Sequence, residues 1–380
     1  MKDNHKKQSI IIQSPARINI IGEHTDYNDG FVLPAAIDKN MVIRLKRNET
    51  PHIAKVTATN LNESFTFDLK SFSRINAGWQ NYIMGVVHEL QKLGGKMSGF
   101  DAEFEGNIPI GGGMSSSAAL ECSLAYSLNV LFELGFNKAQ LIKASQLAEH
   151  NFVGIKCGIM DQFASMMGKK DRVMLLDCRS LAYSYYPLEL GDYQLLLLNS
   201  NVSHTLASSE YNTRRAECEE GVGFLKKVFP EMTNLRDVSP EQLVSLKEKM
   251  PEQIFRRCRH VVSENQRVLA ATKALSEGKL DILGQLIYQS HFSLQTDYEV
   301  SCPELDYLVQ QTQDKDYILG SRMMGGGFGG CTINIIKKSR TKEFVAKISE
   351  AYQQQFGIDL TPYNISIEDG TGEIFSTNKN

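Results

Sequence analysis

Several features that would place a chain in a class at once are missing here. Tryptophan occurs once in 380 residues. The seven cysteines (Cys122, Cys157, Cys178, Cys218, Cys258, Cys302 and Cys331) form no CxxC pair and no metal-ligand spacing. Their odd count argues against a disulfide framework. No apolar run approaches the length of a membrane span. The opening MKDNHKKQSIIIQ has only three consecutive apolar residues, too few for a signal-peptide core. Lys and Arg number 41 against 44 Asp and Glu, a formal net charge of −3. A nucleic-acid or anionic-membrane binder would carry a basic surplus, and none is present. A soluble cytoplasmic protein is the expectation, with a substrate that is neutral or whose charge is met locally. The last absence is local. Residues 108–120, IPIGGGMSSSAAL, read as a glycine-rich turn entering a helix, a common way to hold a phosphate. A Walker A loop would end in GK[ST], but here Gly113 is followed by Met114 and three serines.

What is present is ordinary for a globular protein: 42% hydrophobic and 22% charged residues. The length fits two domains. No Pro/Gly/Ser linker separates them, so the division is placed by element order near residue 190, giving 1–190 and 191–380, with a packed interface between the halves. SIIIQSPARINII reads as two short strands broken at Ser14-Pro15. Strands follow in MVIRLKR, HIAKVTATN and ESFTFDL, and then a helix over Gln80–Leu93. A long helix is expected over Ser115–Leu134, and a second one, capped by Asn137, runs to His150. The second half is mostly helical until the glycine-rich stretch at 320–330, which is followed by the strand CTINIIKK and a helix.

Three stretches carry chemistry. In RINIIGEHTDY (17–27), Arg17, Glu23, His24 and Asp26 crowd a strand end and its loop, and Gly22 permits a sharp turn that would aim them at one point. Carboxylates and a histidine accept hydrogen bonds from clustered hydroxyls, which suits a sugar or polyol. Read alone, the same pattern is also that of a solvated turn. In the second stretch, Gly111, Gly112 and Gly113 let backbone N–H groups approach a phosphate. Ser115, Ser116 and Ser117 can then cap the helix, bind phosphate or hold a metal. In the third, GSRMMGGGFGGC (320–331), five glycines in six positions exclude a stable helix and imply backbone running close to something. A tight packing corner and a rim over a nucleotide are both open readings.

Taken in this order, the three stretches resemble the GHMP small-molecule kinases, and RINIIGEHTDYNDG is similar to the galactokinase signature in particular. CGIMDQF (157–163) and NSNVSHTLASSEYNTRR (199–215) extend the likeness over nearly the whole chain. The resemblance implies an α+β, two-lobed fold with a ribosomal-S5-like N-terminal domain and a ferredoxin-like C-terminal domain. It implies ATP-dependent phosphorylation of D-galactose at the anomeric hydroxyl. Glu23, His24, Thr25, Asp26, Gly158 and Tyr211 would then contact the sugar. Asp161 would act at the anomeric hydroxyl as base or orienting group, with Arg17 beside it favouring its charged form. Gly111, Gly112, Gly113, Met114, Ser115, Ser116 and Ser117 would hold the nucleotide, and Trp79 would stack on adenine. Ser117 and Glu149 would hold Mg²⁺.

The sequence departs from the family pattern at Ala16, at Met114 and at Met324, where the family has glycine, leucine and threonine. Rival readings are a kinase for another sugar such as N-acetylgalactosamine, and a non-catalytic regulator that binds galactose and ATP. The intact serine–alanine run at 115–119 speaks against the regulator. A Rossmann site at GGGFGG is disfavoured because those glycines precede a strand instead of following one.

Overall fold

The structure is a computed structural model that describes residues 7–76, 78–109, 111–203 and 207–374. Ile110 of the glycine–serine loop and His204, Thr205 and Leu206 of the 199–215 segment lie outside the described residues.

The chain opens with β1 (Ser9–Asn19), β2 (Phe31–Val32), β3 (Pro34–Arg47), β4 (Ile53–Ala58) and β5 (Glu63–Asp68). Helix α1 (Gln80–Lys92) leads to β6 (Phe100–Gly106), α2 (Ser116–Leu131), α3 (Lys138–Ala148) and α4 (Met160–Met167). The strands β7 (Arg172–Asp177), β8 (Tyr183–Pro187) and β9 (Tyr193–Ser203) precede a run of helices: α5 (Ala207–Lys226), α6 (Pro240–Val244), α7 (Glu252–Ser276), α8 (Leu280–Ser293) and α9 (Pro303–Gln310). The chain closes with β10 (Ile318–Met323), β11 (Gly329–Lys337), α10 (Thr341–Phe356), β12 (Thr361–Ile365) and β13 (Gly372–Glu373).

Three sheets result. The first has the order β13-β1-β3-β6-β4-β5, antiparallel except between β4 and β6. The second is antiparallel, β10-β11-β9-β12, and the third is β2-β7-β8. Pro15 does not break the first strand. The register slips between Pro15 and Arg17, so a β-bulge absorbs the irregularity and β1 continues as one strand. The bulge increases local twist and turns Arg17 toward the site.

Helix α2 packs on β1 and β3 and against α1, α3 and α4. It is buried along most of its length, which its Ala, Ser, Cys and Leu content permits. Asn137 caps α3 in a full capping box with Gln140, at 2.9 and 3.0 Å, a contact that contributes about 1 kcal/mol. Past Ala148 the chain widens into a π-turn over Glu149–Val153, and this re-aims Glu149.

The two halves share a core. Ile18, Ile20 and Ile37 pack in one cluster with Leu195, Leu197, Val268, Leu283, Ile333 and Ile335. The C-terminal segment also crosses back. β13 pairs with β1, Ile367 bridges Ile37, and the Thr371 and Ser14 hydroxyls meet at 2.7 Å. A cut near 190 falls between β8 and β9, and residues 367–374 return to the first sheet. Gly320 lies inside β10, ahead of the five glycines, the last two of which, Gly329 and Gly330, open β11. Gly320 is closely packed: a Cβ there would overlap the Gly284 backbone of α8. Among the described residues no helix is long and apolar enough to cross a membrane.

Candidate active site

Six segments converge on one cavity of about 350 Å³. They are the end of β1, the loop that follows it, the glycine–serine turn with the start of α2, the π-turn after α3, the first turn of α4, and the β10–β11 turn. Tyr211 of α5, Tyr82 of α1, and Ile155 and Cys157 between the π-turn and α4 complete the wall. Of the residues singled out in the sequence, Arg17, Glu23, His24, Asp26, Gly111, Gly112, Gly113, Met114, Ser115, Ser116, Ser117, Glu149, Asp161 and Tyr211 all line this space.

Arg17 is almost fully buried and organises the centre. Its Nε donates to Asp161 Oδ1 at 2.7 Å and its Nη2 to Asp161 Oδ2 at 3.0 Å. This is a two-pronged, charge-assisted pair. Its Nη1 donates to the Gly113 carbonyl at 2.6 Å, and its backbone N–H to the Met114 carbonyl at 3.2 Å. One arginine therefore ties the strand end, the glycine turn and α4 together. Ser115 sits in left-handed backbone at φ 58 and points its hydroxyl at Asp161 Oδ2 instead of capping α2. The leading N–H groups of α2 are left without a side-chain cap, and such groups receive anions.

The loop after β1 turns at Gly22 with φ +109, where a Cβ would overlap Phe31, Val32 and Val268. Glu264 of α7 pins that turn by accepting from the Gly22 N–H at 2.9 Å. Asp26 is pushed up to about 7, first by burial and then by the charge of Asp161. His24 is brought down to about 3, by burial and then by His260, so it is a neutral imidazole at neutral pH. Its Nδ1 lies 2.8 Å from the Tyr27 hydroxyl, which meets the Tyr298 hydroxyl at 2.7 Å. Glu23 is held on both oxygens. Oε1 accepts from Arg322 Nη2 at 2.9 Å and from the Gly325 N–H at 2.8 Å, and Oε2 accepts from Asn19 Nδ2 at 3.0 Å.

Ser117 and Glu149 line the same cavity. Burial raises the Glu149 pKa, while hydrogen bonding from Cys157 and Ser117 opposes the rise. Behind them Glu121 is fully buried and pushed up by burial and by Glu149; one of its oxygens accepts from Gln162 at 3.0 Å.

Three expected contacts fall elsewhere. The Thr25 hydroxyl turns inward, donating to the Gly22 and Phe31 carbonyls at 2.9 and 2.6 Å, and does not line the cavity. Gly158 lines a neighbouring cavity behind the loop, and its lack of a side chain makes room for the Asp26 carboxylate. Trp79 stands at the start of α1, edge-on to Phe65 and Phe104, with its Nε1 donating to Glu63 at 2.7 Å. It is not part of the cavity wall.

Conversely, Tyr82 lines the cavity and Arg322 and Asn19 hold Glu23 with no signal in the sequence, while Gly325 and Gly326 line it from the stretch for which a rim is one open reading. Arg322 lies within the GSRMMGGGFGGC stretch, and nothing in the sequence pairs it with Glu23. Met114 and Met324 are both buried in the shared core cluster. The Met324 departure thus sits in the core and not in the cavity wall.

The chain and its fold are matched by known proteins. The GHMP kinase N-terminal domain model matches residues 81–169, the GHMP kinase C-terminal model residues 271–354, and the galactokinase galactose-binding signature residues 2–47. The fold and the site define a GHMP kinase. A galactokinase of Thermotoga maritima is 42% identical over 363 residues, covering 96% of this chain and 99% of the relative. A galactokinase of Roseiflexus sp. (strain RS-1) is 41% identical over 365 residues, covering 96% and 93%. The crystal structure of Lactococcus lactis galactokinase complexed with galactose superimposes with a TM-score of 0.93 at 34% identity, covering 97% of this chain and 96% of that one. The chain belongs to the galactokinase family.

Proposed function

We propose that this chain transfers the γ-phosphoryl group of ATP to the anomeric hydroxyl of D-galactose, giving α-D-galactose 1-phosphate and ADP. The observation that carries this reading is the Arg17–Asp161 pair, which stands between the sugar-signature loop and the uncapped start of α2 within one cavity.

The sugar side is built for hydroxyls. Asp26, Glu23, neutral His24 and the Tyr211 hydroxyl offer acceptors and donors at the wall. Asp161 Oδ2 already receives two donors, Arg17 Nη2 and Ser115 Oγ, while Oδ1 receives only Arg17 Nε. Oδ1 is therefore the oxygen that takes up the hydroxyl proton. Phosphoryl transfer through a loose transition state needs little proton removal early, so a weak base held in place by Arg17 is adequate. Arg17 and the N–H groups at the start of α2 meet the charge on the phosphates.

The site contains a donor set that fits a hard divalent cation: the Ser117 hydroxyl and the buried Glu149 carboxylate are both oxygen donors. Among the described residues no group of three or more His, Cys, Asp or Glu is placed to hold a metal. Mg²⁺ keeps few protein ligands, because waters and phosphates complete its shell. When bound, Mg²⁺ supplies charge neutralisation to the triphosphate.

A division into functional halves at 190–191 puts the sugar signature and the phosphate turn in the first half and the third glycine-rich motif in the second. A cytoplasmic setting is supported by seven free cysteines, six of them buried.

The test is steady-state phosphorylation by purified protein with MgATP, comparing D-galactose with N-acetylgalactosamine. The expected outcome is a much higher kcat/KM for galactose. Sugar binding without ADP release would support the regulator instead, and a preference for the acetylated sugar would support that kinase.

A further inference from the structure

The sugar-signature loop does not hold its own acid. Glu23 is 1% exposed, and the charge that balances it comes from Arg322, 299 residues away and 0% exposed. A guanidinium stays charged when buried, so its place must be fully compensated. Every donating nitrogen of Arg322 is used. Nε donates to the Ile20 carbonyl at 2.9 Å and Nη1 to the Met323 carbonyl at 2.6 Å. Nη2 donates to the Asn19 carbonyl and to Glu23 Oε1. The arginine thus reads the backbone of β1 as it leaves the sheet and fixes the first acid of the loop in the same fork. Three residues further on, the Gly325 N–H donates to the same Oε1 at 2.8 Å.

The same stretch also touches the phosphate turn and the sugar-side aromatic. A Cβ on Gly325 would press on Gly113, and one on Gly330 would press on Gly111 and Gly112. A Cβ on Gly326 would meet the ring of Tyr211. The glycines allow the backbone to pass between the two loops, and Arg322 anchors that passage.

We propose that Arg322 is a positioning residue for the sugar. With Gly325 it occupies Glu23 Oε1, so that only Oε2, which has the single donor Asn19, is offered to a substrate hydroxyl. The inference rests on the galactose-kinase reading above. It assigns the third glycine-rich motif a role on the sugar side in addition to its packing against the phosphate turn. Lysine at this position is a single point charge and cannot reach three carbonyls and a carboxylate together. Methionine fills the volume but supplies no donor.

The experiment compares the parent with Arg322→Lys and Arg322→Met, using steady-state kinetics, galactose calorimetry and circular dichroism. In Arg322→Met the galactose KM and Kd are expected to rise by roughly tenfold or more, as loss of a charge-assisted contact implies. Arg322→Lys should recover part of that loss, with the ATP KM unmoved in both. Folded variants with the parent's galactose Kd overturn the inference, as do variants in which the sugar and ATP constants rise in parallel. If neither variant folds, amide exchange on the parent decides. Galactose alone should slow exchange at 322–326 along with 19–26, and slowing confined to 19–26 overturns the proposal. A parent that binds no galactose removes the functional reading itself. A parent that turns galactose over while the variants keep its sugar affinity removes only the role of Arg322.

Discussion

Two aspartates share one cavity. Asp161 is held by Arg17 through two hydrogen bonds and by Ser115 through a third. Asp26 is buried beside it and is pushed up to about 7. Asp161→Asn removes the proton acceptor but keeps the shape, so kcat should fall by roughly 10²–10⁴, the range for a positioned acid–base group. Galactose affinity measured by calorimetry should barely change, and an undiminished kcat would take Asp161 out of the mechanism. Asp26 titrates near neutrality in the sugar-free protein, and a hydroxyl donating to it favours its charged form. Galactose should therefore bind more tightly as pH rises from 6 to 8, with the change centred near 7. Asp26→Asn should bind more weakly and flatten that profile. An identical pH dependence in the variant would assign it to another group. The stability effect runs the other way. A carboxyl whose folded pKa is raised adds stability at low pH that is lost as pH climbs toward 7.

At the scale of elements, the metal side depends on two segments that meet. The first turn of α2 brings Ser117 and the π-turn after α3 brings Glu149. Glu149→Gln should raise the Mg²⁺ concentration needed for half-maximal activity. It should also weaken Mn²⁺ binding in the presence of ADP, read by electron paramagnetic resonance; unchanged Mn²⁺ affinity would remove Glu149 from the metal site. The turn at Gly22 combines left-handed backbone with a full lack of space for a Cβ. Gly22→Ala should cost roughly 2–4 kcal/mol of stability, from strain plus overpacking. Urea unfolding checks this, and a loss within error would contradict the crowding.

The same elements show what the sequence makes legible. Arg17, Glu23, His24 and Asp26 stand out as charged and polar residues crowded beside a sharp turn, a pattern a solvated turn shares, and Asp161 is legible only through the family resemblance. Thr25 sits in the same run but turns inward, since a threonine hydroxyl satisfies loop carbonyls as readily as a ligand. Trp79, the expected stacking ring, stands edge-on to two phenylalanines and donates to Glu63, outside the cavity wall. Arg322 was invisible because its partner is remote in sequence. Contacts of that kind depend on how the second sheet docks, and local pattern does not encode docking. The bulge at Pro15–Arg17 was likewise hidden, because a proline in a strand reads as a break until its partner strand is known.

On the scale of the whole molecule, the cavity lies where the two halves meet, and their core is continuous. The returning segment at 367–374 ties the end of the chain to the first sheet. The protein should therefore unfold in a single calorimetric transition, shifted upward by galactose, as a ligand that binds only the folded state requires. Two resolved transitions would show that the halves unfold separately. The site is also shared between halves, since Glu23 and Arg17 belong to the first and Tyr211, Gly325 and Arg322 to the second. Activity should be lost with that one transition and not before it.

The most direct measurement follows the reaction by ³¹P and ¹H nuclear magnetic resonance, with purified protein, MgATP and D-galactose. The predicted result is a phosphomonoester on the anomeric carbon in the α configuration, formed at the rate at which ADP appears and slowed by roughly 10²–10⁴ with Asp161→Asn. ADP released with inorganic phosphate alone, or phosphate carried on another carbon of the sugar, would contradict the assignment of Asp161 and Arg17 to the anomeric hydroxyl.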